Sequence, residues 1–270
     1  MSRFTESFRE NMVCFVEHCF RPPPTVKDPH NYLGIVRSMP ADFNIGLAFN
    51  HSAYGDPVAV LSAYRQLVDP NQRQILVPAS EYHTKFFNNP VFATAYVLGA
   101  PVFQYEKASI IQAYQVGNPR YGYTQEQAQR SYSRFVRKVH EMHENGPFTL
   151  LIAPEGHRSE KEHSALQKAE PGIGFFMRQI APWILIPIGI TYDRPFKRNN
   201  VNLRSGPRLH IAEPIVLEEP IKKQDQEEVI AEIMVRIGSV LPETKWGYYA
   251  SQIREFLESN ARIPSVPNQP

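Results

Sequence analysis

Four short apolar runs constrain this chain more than anything else in it: Ile45 to Phe49, Gln74 to Ala79, Phe148 to Ile152 and Ile184 to Ile190. Each has the length of a strand. Runs that are apolar at nearly every position suit strands buried on both faces, the condition of a parallel sheet covered by helices. Helical patterns lie between them. Val58 to Val68 is apolar at 58, 60, 61, 64, 67 and 68, Ser131 to Asn145 carries Tyr132, Phe135, Val139 and Met142 on one face, and Ile173 to Ile180 separates the last two runs. The order strand, helix, strand predicts an α/β fold, a single domain with a mostly parallel central sheet flanked by helices.

The remaining segments fit around that sheet. Phe4 to Phe20 places Phe4, Phe8, Met12, Phe15, Val16 and Cys19 at helical spacing and ends at Arg21-Pro22-Pro23-Pro24. Such an amphipathic helix either packs on the protein body or lies on a membrane surface, and its polar face is poor in Lys and Arg. Gly99 to Tyr105 reads as a turn and a short strand. Residues 106–130, polar and rich in Gln and Tyr, read as an insertion at that strand's end, a lid or a surface excursion. Arg208 to Val216 predicts an edge strand interrupted by Pro214. Gln226 to Val240 and Trp246 to Leu257 predict closing helices. The expected boundaries are residues 1–40 for the first helix and a connection, 41–220 for the core, 221–263 for the C-terminal helices and 264–270 for a frayed tail. No linker separates two cores.

Composition excludes some function classes. A chain of 270 residues can bury a substantial core. Its 29 Lys and Arg against 27 Asp and Glu leave a net charge of +2, which argues against a nucleic-acid binder that works by bulk electrostatics. Cys14 and Cys19 form neither a disulfide framework nor a zinc pattern, so a reducing compartment fits best. The absence of a signal-peptide pattern and of a long apolar run predicts a cytoplasmic protein, soluble or peripheral on the cytosolic face of a membrane.

Two strand ends carry reactive residues. Asn50-His51-Ser52-Ala53-Tyr54-Gly55-Asp56-Pro57 follows the first run, and α/β enzymes keep reactive groups at strand ends. A tight turn at Gly55 and Pro57 can fold Asp56 back on the His51 ring, fixing its tautomer and leaving the other nitrogen to take a proton. A capping or core histidine is the plainer alternative. The third run enters Pro154-Glu155-Gly156-His157-Arg158-Ser159. There Gly156 permits close backbone approach, Arg158 offers a planar fork for phosphate oxygens, and Ser159 adds a hydroxyl donor. Glu155 repels phosphate, so it suits orienting Arg158 or binding an acceptor hydroxyl; a structural Glu-Arg pair beside a turn is the alternative.

Together the two stretches resemble the glycerolipid acyltransferases, the family that includes 1-acyl-glycerol-3-phosphate acyltransferase. Asn50, His51 and Asp56 match its Asn-His-four residues-Asp motif, and Pro154, Glu155, Gly156, Arg158 and Ser159 match its Pro-Glu-Gly-Thr-Arg-Ser motif, with His157 in place of Thr. Ile186-Pro187-Ile188 corresponds to an apolar motif around proline. Gly99 to Phe103 corresponds to a motif that ends in arginine, but Tyr105 stands near the arginine's place and Lys107 follows it.

The resemblance covers roughly residues 44–217. It implies a glycerol-3-phosphate acyltransferase-like fold and transfer of an acyl group from acyl-CoA or acyl-carrier protein to a lipid hydroxyl. It implies His51 and Asp56 as the base, and Glu155, Gly156, Arg158 and Ser159 as acceptor-binding residues, with no covalent acyl-enzyme. Lys107, and Arg120 within the insertion, are candidate substitutes for the missing arginine. No cofactor or metal is implied beyond the acyl-CoA or carrier-protein co-substrate, and no nucleic acid. Because such substrates dissolve in membranes, Phe4 to Phe20 or a patch around Phe86-Phe87 is expected to touch the bilayer. A non-phosphate alcohol such as a sugar, polyol or pigment is the alternative acceptor, and a non-catalytic lipid- or carrier-binding protein the alternative class.

Overall fold

The structure, a computed structural model, describes residues 22–53, 55–67, 73–84, 105–157, 165–194 and 204–261. The helix expected from Phe4 to Phe20, Phe86-Phe87, Gly99 to Phe103 and the tail lie outside these residues. The strands are β1 (Thr25–Lys27), β2 (Asn44–Phe49), β3 (Gln74–Ser80), β4 (Tyr105–Ile110), β5 (Phe148–Ile152), β6 (Trp183–Tyr192), β7 (Pro207–Ile211) and β8 (Ile215–Leu217). The α-helices are α1 (Tyr32–Ser38), α2 (Asp56–Ser62), α3 (Tyr64–Leu67), α4 (Glu81–Thr84), α5 (Gln125–Glu144), α6 (Gly172–Gln179), α7 (Gln226–Ser239) and α8 (Ala250–Ala261).

All eight strands join one sheet in the order β1, β7, β6, β2, β5, β3, β4, with β8 also on β6. β2 runs parallel to β5 and β6, and β3 runs parallel to β5 and β4. Among the described residues, antiparallel pairing is confined to β7 and β8 against β6. The α/β architecture with a mostly parallel sheet is therefore the observed one. Ala48 pairs with both Ile152 and Pro187, so the carboxyl ends of β2, β5 and β6 reach one common edge.

Strand parity divides the core. Ile45, Leu47 and Phe49 of β2 and Ile184, Ile186, Ile188 and Ile190 of β6 face the layer of α1, α2 and α3. Ala48 of β2, Phe148 and Leu150 of β5 and Trp183 and Leu185 of β6 face the layer of α5, α6, α7 and α8. Successive side chains on a strand point to opposite faces, so an apolar run supplies both layers at once. Gly46 leaves room on that face for its register partner on β6: a Cβ there would stand 2.7 Å from Leu185 Cδ2.

Several elements differ from the sequence expectation for physical reasons. The helix after the His/Asp turn starts at Asp56, with Pro57 in its first turn, where a missing N–H costs nothing, and it breaks at Ala63 into α2 and α3. The 106–130 excursion contracts to residues 111–124. β4 occupies its first part, and α5 begins at Gln125, fixed by a capping box in which Thr124 and Gln127 exchange side-chain to backbone hydrogen bonds. The segment from Arg208 to Val216 is two strands, and β7 lies inside the sheet between β6 and β1. β1 and α1 form where only a connection was expected.

Leu47 has no exposed surface at the centre of the sheet. Leu47→Ala is expected to destabilise the fold by about 2–5 kcal/mol, lowering the melting temperature by roughly 5–15 °C in a thermal denaturation scan.

Candidate active site

His51 continues the parity of Ile45, Leu47 and Phe49, so its ring turns toward the layer that holds α2, and the Phe49 ring meets it edge-on at 6.5 Å between centroids. Asn50 anchors the strand end. Its Oδ1 accepts from Ile190 N at 2.6 Å, and its Nδ2 donates to Ile190 O at 3.3 Å and Ser52 Oγ at 3.2 Å. The side-chain amide thus continues the β2 to β6 ladder by one step after the backbone has left it.

The turn from Ser52 to Gly55 brings Asp56 back onto the histidine. His51 Nδ1 and Asp56 Oδ2 are 3.2 Å apart, and the same oxygen accepts from Ser52 N at 2.5 Å and Ala53 N at 2.7 Å. The second oxygen, Oδ1, accepts from the Tyr192 hydroxyl. Asp56 has no exposed side-chain surface, whereas 18 % of His51's is exposed. A buried carboxylate is tolerated only with such donors around it, and the accessible partner is the one that can reach a substrate. Burial and then the Asp56 charge push the Tyr192 phenol well above its ordinary range, so Tyr192 stays a donor. The Asp56 field also reaches half-buried Lys245, whose ammonium burial pushes down and Asp56 pulls up.

Glu155 joins the second motif to the first. Its Oε1 accepts from His51 N at 2.9 Å, and its Oε2 accepts from Gln167 N at 2.9 Å. Burial pushes its pKa up to about 7, against the pull of these two amides and with a further push from Asp56. Its carboxylate is therefore spent on the backbone of two loops. Gly156 takes φ of +71°, and a Cβ there would stand 2.7 Å from Glu170 Cγ. Its carbonyl accepts from Gln112 Nε2. His157 Nε2 and Gln167 Oε1 are 2.9 Å apart, and the Tyr114 ring lies 5.3 Å from the His157 ring. The 111–124 loop thus packs against the second motif.

Three strand ends therefore bring together His51 and Asp56, Glu155 and Gly156, and Tyr192. Arg158 and Ser159 lie outside the described residues. Lys107 is not part of the cluster. It is exposed in the middle of β4, the sheet's edge strand, and three strand spacings from β2 amount to roughly 14 Å. Tyr105 is likewise remote: through Ile75 and Thr149 its backbone is level with Ile45, at the amino end of the strands, opposite the edge that carries His51. Arg120 is exposed in the 111–124 loop, its guanidinium 5.7 Å from the Tyr121 ring centroid. Sequence reasoning missed Tyr192, although the alternation Ile184, Ile186, Ile188, Ile190 points to it once the strand is extended by two residues.

Comparison by sequence finds no matching family and no matching curated protein. Among solved structures, the chain is similar to the crystal structure of the 1-acyl-sn-glycerophosphate (LPA) acyltransferase PlsC from Thermotoga maritima. The TM-score is 0.52, the identity 16 %, and the match covers 89 % of this chain and 83 % of that one. At that identity the two share a fold.

The Glu155 shift fixes a pH dependence. With a folded pKa of about 7 against an ordinary 4.5, the group's contribution to stability is complete below about pH 4.5 and lost as pH rises through about 7. Denaturant titrations of the wild type and Glu155→Gln between pH 5 and 8 are expected to show the wild type losing stability relative to the variant as pH rises.

Proposed function

We propose that this protein is an O-acyltransferase. It moves a fatty acyl group from acyl-CoA or acyl-carrier protein to the hydroxyl of a (lyso)glycerophospholipid such as 1-acyl-glycerol-3-phosphate. The observation that carries the proposal is the His51–Asp56 pair at the sheet's carboxyl edge, with a buried carboxylate behind a partly exposed imidazole. The fold shared with an LPA acyltransferase supports it.

In this mechanism Nδ1–H of His51 donates to Asp56, and Nε2 accepts the proton of the acceptor hydroxyl as its oxygen attacks the thioester carbonyl. The tetrahedral adduct collapses, the C–S bond breaks, and the imidazolium returns its proton to the departing thiolate. Asp56 keeps the imidazole in the tautomer that leaves Nε2 free and stabilises the positive charge that develops on the ring. Glu155 holds the His51 backbone in register with the second motif, where Arg158 and Ser159 take the acceptor's polar head. Among the described residues no helix is long and apolar enough to cross a membrane. Contact with the lipid surface is proposed for Phe4 to Phe20 or the patch around Phe86-Phe87, and loss of liposome flotation on removing residues 1–24 is the outcome expected of the first.

A neutral alcohol acceptor is the second reading. It is favoured by the neutral side chains Gln112 and Tyr114, which pack against Gly156 and His157, and by the distance of Lys107 from the dyad.

A free-thiol assay with acyl-CoA and a panel of acceptors decides between them. Lysophosphatidic acid is expected to give thiol release that His51→Ala lowers by about 10²–10⁴-fold, as loss of a general base does. Release with neutral alcohols alone makes the second reading correct. No release with any donor or acceptor refutes both.

A further inference from the structure

We infer that Tyr192 is a positioning residue for the His51–Asp56 base: its hydroxyl holds the Asp56 oxygen that the histidine does not use, and so sets both the direction and the strength of the dyad. The inference rests on the acyl-transfer reading for its functional meaning. Its geometry stands independently of it.

Asp56 Oδ2 serves three donors, the His51 ring and the amides of Ser52 and Ala53, whereas Oδ1 has the Tyr192 hydroxyl. The first three all belong to the turn that carries Asp56. Tyr192 comes from the far end of β6, 136 positions along the chain, and so ties the turn to the sheet. It can do so because of strand parity. Ile188 pairs with Phe49, the Asn50 side chain takes the Ile190 backbone, and Tyr192 is the next residue on that face, packed against the same apolar layer as α2. A carboxylate pinned at one oxygen can still turn about its Cβ–Cγ bond. Pinned at both, it presents Oδ2 to His51 Nδ1 in one orientation.

The hydroxyl also tempers the carboxylate. Each donor to an ionised acid withdraws charge and weakens its pull on the imidazolium. Removing the phenol leaves Asp56 a stronger partner for protonated His51, which raises the histidine's pKa. At neutral pH a larger fraction of the base is then already protonated and idle. Among the described residues, the other ionisable groups acting on Asp56 or on Glu155 beside it are Lys245 and Tyr249. Neither is altered by the substitution, so the shift is attributable to Tyr192.

Tyr192→Phe keeps the ring and deletes the hydroxyl. The test compares it with the wild type in two measurements. In NMR of protein carrying ¹⁵N-labelled histidine, the His51 titration is expected to move up by about 0.5–1 unit, as a change in one charge-assisted hydrogen bond does, with the protein still folded and its thermal midpoint lowered by roughly 2–10 °C. In the thiol-release assay, kcat is expected to fall about 3- to 10-fold at neutral pH with KM for both substrates within about 2-fold, and the acid limb of the pH–rate profile to move up with the titration. An unchanged His51 titration overturns the inference, whatever the activity does, because a purely structural tyrosine lowers turnover without moving that pKa. Absence of thiol release by the wild type refutes the acyl-transfer reading alone, and the NMR titration still decides the role of Tyr192.

Discussion

Asp56 is a carboxylate without contact with water, and the geometry around the sheet's carboxyl edge follows from what its burial requires. Desolvating an anion costs several kcal/mol unless donors replace the lost water, so a fold that buries one must deliver N–H and O–H groups to both oxygens. Here two come from backbone amides of the intervening turn, one from the imidazole and one from a phenol on a neighbouring strand. The spacing of five residues between His51 and Asp56 has a local explanation in those terms. A turn of that length lets one side chain reach the amides of Ser52 and Ala53 and the His51 ring together.

Glu155 plays the corresponding part between loops. Its two oxygens link the backbone after β2 to residue 167, and Leu166 is in turn bonded to the C-terminal segment through Lys245 O at 2.8 Å and Tyr248 N at 2.9 Å. The Tyr249 hydroxyl accepts from Ala169 N at 3.0 Å. The C-terminal residues therefore buttress the second motif as well as covering the sheet. The raised pKa of Glu155 records the cost of this arrangement: an acid held in a dry place where two amides favour its charge and burial opposes it. A glutamate of the second motif thus shapes the site through the backbone amides of His51 and Gln167.

Legibility from sequence followed the range of the interaction. β2, β3, β5 and β6 were visible because an apolar run carries its own burial signal, and α6 and α7 because amphipathic periodicity does the same. Boundaries were lost where they depend on partners. β6 runs to Tyr192 because β7 pairs along it, and α5 starts at Gln125 because Thr124 and Gln127 cap it, six residues before the start at Ser131 that the apolar stripe suggests. The residues of β4 after Tyr105 were read as irregular chain for the same reason: Glu106, Lys107 and Ser109 do not read as a strand, and only pairing with β3 makes them one.

The sequence by itself determined that this is an α/β chain with a histidine and an aspartate at one strand end and a glutamate and a glycine at another, because strand burial and turn chemistry are local. Tertiary structure alone decided which of these groups meet. Parallel pairing at a fixed register carries β2, β5 and β6 to a common edge, places Tyr105 at the opposite end and Lys107 three strands away, and sets Tyr192 against Asp56 from 136 residues downstream. Register is a relation between distant segments, set by how whole apolar faces fit across a sheet, and no local pattern in either segment contains it.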